Sequence, residues 1–184
     1  MNTTSRIEGI RGELLWELEI AERQLIALAE AIPAEKYGWR PNDTTRSVSE
    51  ILIHVAAGNF MLLDQIGVPP PIDIYGPLPA EGLDRLWGMV RRNDELEKSV
   101  RGKNEVTSML TRSLAAVSKS LAQATGAELE RPRHFFGEQT TVRRVYLRQL
   151  AHTHEHMGQM IAYVKFNGIA TPWPDWRPDR RQQP

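Results

Sequence analysis

The chain of 184 residues carries 23 Lys plus Arg against 23 Asp plus Glu, so it has no net field to gather phosphate backbones or anionic lipids, which argues against nucleic-acid and membrane partners. Its apolar fraction of 41% and charged fraction of 25% fit one globular domain with a proper core and exclude a disordered chain. The absence of cysteine removes disulfides, thiolate ligands and cysteine nucleophiles together, so any metal must be held by His, Asp or Glu.

From Ser5 to Ile32 apolar residues recur at three and four (Ile7, Ile10, Leu14, Leu18, Leu25, Leu28), which predicts a first amphipathic helix ended by Pro33. Ser47 with Glu50 three positions on is a capping box, and Ile51, Leu52, Val55, Leu62 and Ile66 carry a second helix to Gly67. Val68 to Pro79 holds five of the twelve prolines and reads as an irregular connection. Leu83 to Val100 has a mixed pattern that suggests a short helix or two. Val106, Met109, Leu110, Leu114, Val117 and Leu121 mark a third long helix from Asn104 to Thr125, with Gly126 as its stop. A turn through Pro132 and Gly137 leads to a fourth, from about Thr140 to Asn167, closed by Gly168. Strand signals are nearly absent. The expected fold is all-α, a four-helix bundle over residues 1–170, followed by a Pro- and Arg-rich tail, 171–184, that either lies on the body through Trp173 and Trp176 or frays. Trp16, Trp39 and Trp87 read as core or loop anchors. No basic start with an apolar run and no membrane-length apolar stretch is visible, which reads as cytoplasmic, although a leader removed beforehand would leave the same sequence.

The five histidines are 54, 134, 152, 154 and 156. His152 and His156 lie one turn apart, about 40° around the axis, and can converge on one ion, whereas His154 stands about 200° away. Wheel positions put the pair in the inward half of the fourth helix and His54 at the edge of the apolar arc of the second, where it can supply a third ligand. Three ligands would leave open coordination positions, the pattern of a catalytic metal. Spacing alone leaves a surface or boundary pair as an equal alternative. His134 reads as a loop residue.

Four stretches carry a family likeness: Ile32 to Pro41 (IPAEKYGWRP), Ser47 to Asn59 with HVAAGN at its end, the His-x-x-x-His-x-Gly-Gln of His152 to Gln159, and Tyr163 to Pro172. With these the chain resembles the DinB-like (DinB/YfiT) family, while the middle from Val68 to Val100 matches poorly. The resemblance implies a four-helix bundle, a homodimer, and a site for a divalent metal (Ni²⁺ or Zn²⁺, with Fe²⁺ a further choice) on His54, His152 and His156. Relatives include bacillithiol-using S-transferases and a mycothiol-dependent isomerase, so it also implies a small-molecule substrate and a low-molecular-weight thiol cosubstrate, the sulfur having no source in the chain itself. The expected activity is metal-dependent thiol S-transfer or hydrolysis. The alternatives are a metal-binding stress-response or structural protein without turnover, and a relative that binds an organic ligand without metal. Gln149, Gln159 and Tyr163, on or near the histidine face, are candidates to orient substrate or a water beside the metal ligands, with ordinary edge packing as the competing reading. Asn59, well inside the arc of the second helix, is expected to tie that helix to a neighbouring backbone, with a substrate contact as the lesser option.

Overall fold

The structure, a computed structural model, describes residues 9–173. Helix α1 (Gly9–Ala31) buries Leu14, Leu18, Ala21, Leu25 and Leu28 along one stripe. The expected start at Ser5 lies outside the described residues, as does Trp176. A single 3-10 turn, Ala34–Lys36, follows Pro33 and drops Tyr37 into the core, where its hydroxyl donates to Ala29 O at 2.7 Å. Helix α2 (Val48–Gln65) starts on the expected capping box. Ser47 Oγ accepts from Glu50 N at 3.3 Å, and Glu50 Oε2 accepts from Ser47 N at 2.7 Å. Burial tends to raise the Glu50 carboxyl, but the Ser47 hydrogen bonds and the Arg40 and Arg101 guanidiniums outweigh it and hold it below its ordinary value.

The Pro-rich connection is not wholly irregular. Pro69, Pro70 and Pro71 stand ahead of one helical turn, α3 (Ile72–Tyr75), where a missing N–H removes no intrahelical bond, and Pro77 and Pro79 follow it. Residues 82–99 form one continuous helix of 18 residues, α4 (Gly82–Ser99), longer than the short helix or two expected. Charged positions hide its narrow inward stripe, of which only Met89 and Leu96 are fully buried. Arg85 clasps the carboxylate of Asp64 with Nε at 2.9 Å and Nη2 at 2.6 Å, fastening α4 to α2.

Helix α5 (Lys103–Gln123) stops before Gly126, which opens another short helix, α6 (Gly126–Glu130), because Thr125 Oγ1 accepts from Glu128 N at 3.1 Å and starts a new helix there. The turn expected around Pro132 and Gly137 is a β-hairpin, β1 (Pro132–Phe135) and β2 (Glu138–Thr141), antiparallel with Phe135 opposite Glu138. Helix α7 (Val142–Phe166) completes the bundle, and Gly168 follows it as expected.

Helix α2 packs on α5 and α7, α1 packs on the same two, and α4 lies against α2. α1 and α2 therefore occupy opposite corners of an all-α four-helix bundle. One core cluster joins Leu25 and Leu28 to Leu52, Ile53, Leu110 and Met160, and the other joins Leu14 and Leu18 to Leu63, Leu121 and Val145. The residues in each cluster show α1 and α7 running one way and α2 and α5 the other. Of the tryptophans, Trp39 packs edge-on against Tyr163 at 5.2 Å, and Trp173 is half-buried against the first cluster. Trp16 and Trp87 are 50% and 56% exposed, so they anchor nothing in the core. No helix among the described residues is long and apolar enough to cross a membrane.

Candidate metal centre

His54 comes from the first half of α2, and His152 and His156 from the middle of α7, which faces it. The three rings converge, with centroids 4.7 to 5.0 Å apart pairwise. One ligand atom from each lies within 4.8 Å of the others. His54 Nε2 and His152 Nε2 approach to 3.1 Å. That is about the separation of two nitrogens sharing one ion at roughly 2.0 to 2.1 Å each.

What surrounds the rings decides which nitrogens are free. His54 Nδ1 lies 2.6 Å from Glu97 Oε1 on α4. A carboxylate only accepts, so the proton sits on Nδ1 and the Nε2 lone pair points inward. His156 Nδ1 donates to Gln159 Oε1 at 3.1 Å, Gln159 Nε2 donates to the Tyr163 hydroxyl at 3.4 Å, and Tyr163 donates to Arg46 O at 2.9 Å. This relay fixes the amide orientation and leaves His156 Nε2 free to ligate. His152 is held by space instead. Its Nδ1 is buried without a hydrogen-bond partner, and its ring fits only because position 58 is glycine. A Cβ on Gly58 would stand 2.8 Å from His152 Cε1.

Electrostatics favour neutral, ligating imidazoles. Burial pushes His152 down to about 3, aided by the neighbouring His156 and His54. Burial also lowers His156, with the Gln159 hydrogen bond partly opposing it. Burial acts to raise the Glu97 carboxyl, yet the hydrogen bonds from His54 and Arg46 prevail and keep it ionised below its ordinary value. Arg46 Nε reaches Glu97 Oε2 at 2.8 Å, so each oxygen of the carboxylate has its own donor. Two aligned lone pairs, a third ring in a tailored space and an anion behind one ligand fit a divalent cation.

The other sequence candidates separate cleanly. Gln159 and Tyr163 belong to the centre as the support of His156. Asn59 and Gln149 do not. They are fully buried between the two core clusters, where Asn59 Nδ2 donates to Ser113 Oγ at 3.3 Å and Gln149 Nε2 donates to Asn59 O at 3.2 Å. The tie from the Asn59 side chain thus runs to a serine side chain and not to backbone. His154 bonds Leu150 O within its own helix, and His134 is exposed on β1, a strand and not a loop. Sequence reasoning missed Glu97, Arg46 and the role of Gly58. A signal for Glu97 existed, since with Met89, Asn93, Leu96 and Val100 it falls on one helical stripe as a carboxylate where an apolar residue is expected.

Two clefts meet at Arg46 and Glu97, and the first of them opens onto His54 and His152. The first, of about 370 Å³, includes His54, Gly58, Met61, Val90, Phe136 and His152 in its walls. The second, of about 530 Å³, is polar, with Arg40, Asp43, Thr44, Lys98 and Gln159 around it. Arg46, Asp94 and Glu97 line both.

A comparison with curated proteins finds no match. Among solved structures, the chain is similar to a DinB-like protein (YjoA) from Bacillus subtilis, with a TM-score of 0.63 at 17% identity, covering 90% of this chain and 97% of that one. It is equally similar to a DinB-like protein from Bacillus cereus ATCC 10987, with a TM-score of 0.63 at 15% identity, covering 92% and 97%. At those identities the structural likeness shows the bundle fold alone. A family model then matches residues 17–160, a span that takes in the capped α2 with His54, the carboxylate on α4 and both histidines of α7, and through it the chain belongs to the DinB superfamily.

Proposed function

We propose that this protein is a metal-dependent enzyme acting on a small molecule at the three-histidine centre, by thiol S-transfer or, failing a thiol, by hydrolysis. The observation that carries the reading is the convergence of His54, His152 and His156 on one point, with the Nδ1 atoms of two of them already committed to Glu97 and Gln159. A divalent ion such as Ni²⁺ or Zn²⁺ bound there supplies a Lewis acid that makes a small thiol or water nucleophilic at neutral pH. The residues of the chain do the rest. Glu97 balances charge behind His54, Gln159 and Tyr163 hold His156 in register, and Gly58 admits His152. The polar cleft alongside, with Asp43, Thr44 and the Arg40–Glu50 and Lys98–Asp94 ion pairs in its wall, suits a polar cosubstrate such as a small thiol.

The alternative is an ion that fastens α2 to α7 with no turnover, which rests on the same bridge between those helices. One experiment separates them. Zn²⁺- or Ni²⁺-loaded protein is offered glutathione, bacillithiol, mycothiol and coenzyme A with a generic alkylating acceptor, beside His156→Ala, with metal content measured by elemental analysis. Metal-dependent turnover with at least one thiol, lost on chelation and in His156→Ala, supports S-transfer. One equivalent of metal that raises thermal stability, with no rate above the variant for any thiol or for water, would leave the structural role.

A further inference from the structure

The hairpin joining α6 to α7 turns through Phe136 and Gly137, and both have positive φ, 49° and 82°. Positive φ at both central residues is the signature of the tight type I′ turn, whose first position favours Asn, Asp or Gly. Phe136 is the only non-glycine residue among the described residues with positive φ. A bulky aromatic there is strained, and it is not compensated by burial, since Phe136 is 78% exposed. Its ring rests on Phe135 at 4.3 Å, and Phe135 is itself anchored in the second core cluster. The core therefore does not need Phe136, but the neighbouring ring fixes where it stands.

That place is the wall of the 370 Å³ cleft that holds His54 and His152, with Gly58, Met61, Leu62 and Val90 completing its apolar lining. The volume is that of a small-molecule site. The charged side chains around it are already paired: Arg46 with Glu97, Arg148 with Glu155 in a two-pronged contact at 2.8 and 2.9 Å, and Asp94 with Lys98. The Asn93 amide in the wall is likewise engaged, with the Tyr75 hydroxyl and Ala57 O, so the cleft presents little free charge and a surface chiefly of aliphatic, thioether and aromatic groups. We infer that Phe136 is a specificity-determining residue that receives the uncharged aryl or alkyl body of the electrophilic substrate in this cleft, beside the histidine centre. The assignment of an electrophile rests on the transfer reading above, whereas the apolar recognition does not.

The test uses N-phenylnaphthylamine, an uncharged fluorescent aryl amine, titrated into the full chain both chelator-treated and Zn²⁺-loaded. Expected is one bound probe per chain in either state, with Kd about tenfold weaker in Phe136→Asn and little changed in Phe136→Trp. Val90→Asp, which sets a carboxylate on a partly exposed wall position, should weaken binding at least as much. Anilinonaphthalene sulfonate, which adds an anion to a similar body, should bind no tighter. Because Asn suits the turn better than Phe, the thermal midpoint of Phe136→Asn should hold or rise, which a merely structural role for Phe136 would reverse. Unchanged probe affinity in Phe136→Asn, or a lower midpoint accompanying the weaker binding, would overturn the inference. So would unchanged probe affinity with a dimer turned monomer, which would assign Phe136 to an interface between copies. Loss of the transfer reading alone would leave probe binding intact, so the two failures are distinguishable.

Discussion

Replacing Gly58 by Ala should make the metal-free protein no less stable and yet cost it the metal. In the middle of α2 the exchange gains helix propensity, worth up to about 1 kcal/mol. The new Cβ, however, would lie 2.8 Å from His152 Cε1 and 3.3 Å from its Nδ1, where ordinary contact begins at 3.4 Å. The atom it meets is the far end of a side chain and not backbone, so the ring swings away and the helices stay. The retreat must be at least about 0.6 Å, roughly three times the 0.2 Å or so by which metal–nitrogen distances vary. A three-ligand site becomes a two-ligand site, and Zn²⁺ affinity should fall by at least about 100-fold. Competition with a chromophoric chelator measures the affinity, and urea denaturation in excess chelator measures the stability. Zn²⁺ affinity within about threefold of the parent would refute the packing argument. A loss of more than about 1 kcal/mol of metal-free stability would show that the clash reaches the backbone.

The remaining predictions follow from other contacts of the centre and its supporting helices. Alanine at His54, His152 or His156 should each abolish tight Ni²⁺ or Zn²⁺ binding, while His154→Ala and His134→Ala retain it by elemental analysis, because the last two face elsewhere. Glu97→Ala should weaken Zn²⁺ about 10- to 100-fold by freeing the His54 ring, and equal affinity in a competition titration would remove Glu97 from the site. For the metal-free protein, His152 is depressed in the folded state to about 3, whereas an unfolded imidazole titrates near 6.5. Its contribution to stability is therefore complete above about pH 6.5 and is lost as pH falls toward 3, because the unfolded chain takes up a proton that the folded chain refuses. The slope is at most about 1.4 kcal/mol per pH unit, and His152→Ala should flatten it in denaturation series at pH 7, 6, 5 and 4; parallel curves would count against it. Arg85→Ala leaves the largely buried Asp64 carboxylate without its clasp and should cost about 2 kcal/mol, read as a lower denaturation midpoint with unchanged metal stoichiometry.

The long helices and the convergence of the three histidines were legible because each rests on a period that survives without tertiary information. The i, i+4 spacing aims His152 and His156 together wherever α7 packs, and the apolar arc of α2 sets which way His54 turns. The supports of the site were less visible, for separate reasons. Gln159 and Tyr163 could be placed, being one and two turns from His156, but Glu97 arrives from a helix whose inward stripe has only two fully buried residues. Arg46 acts partly through its backbone carbonyl, which no side-chain pattern reports. Asn59 and Gln149 looked inward and are inward, yet in a bundle inward leads either to the centre or to the layer between two core clusters, and one helical wheel does not distinguish depth along the axis. The hairpin was missed because its strands, Pro-Arg-His-Phe and Glu-Gln-Thr-Thr, are four residues each with one buried side chain between them, too short for an alternation to emerge. Thr125 with Glu128 was a helix start in plain view, overshadowed by the glycine between them.

The placement of Glu97 on α4 separates two jobs that many metal sites keep on one scaffold. The three histidines belong to α2 and α7, which also carry the core, so they cannot be exchanged without repacking the bundle. The carboxylate behind His54, and Val90 in the cleft wall, sit on a helix applied to the outside of α2 and joined by a proline-rich lead-in at one end and the three residues 100–102 at the other. The segment from 68 to 102 is in that sense a separate module, held to the first core cluster by Tyr75, Met89, Leu96 and Val100. Changing its Glu97 and Val90 would alter the basicity of the His54 ring and the shape of the neighbouring cleft together, while the three-histidine cluster stays written in helices that segment does not contain.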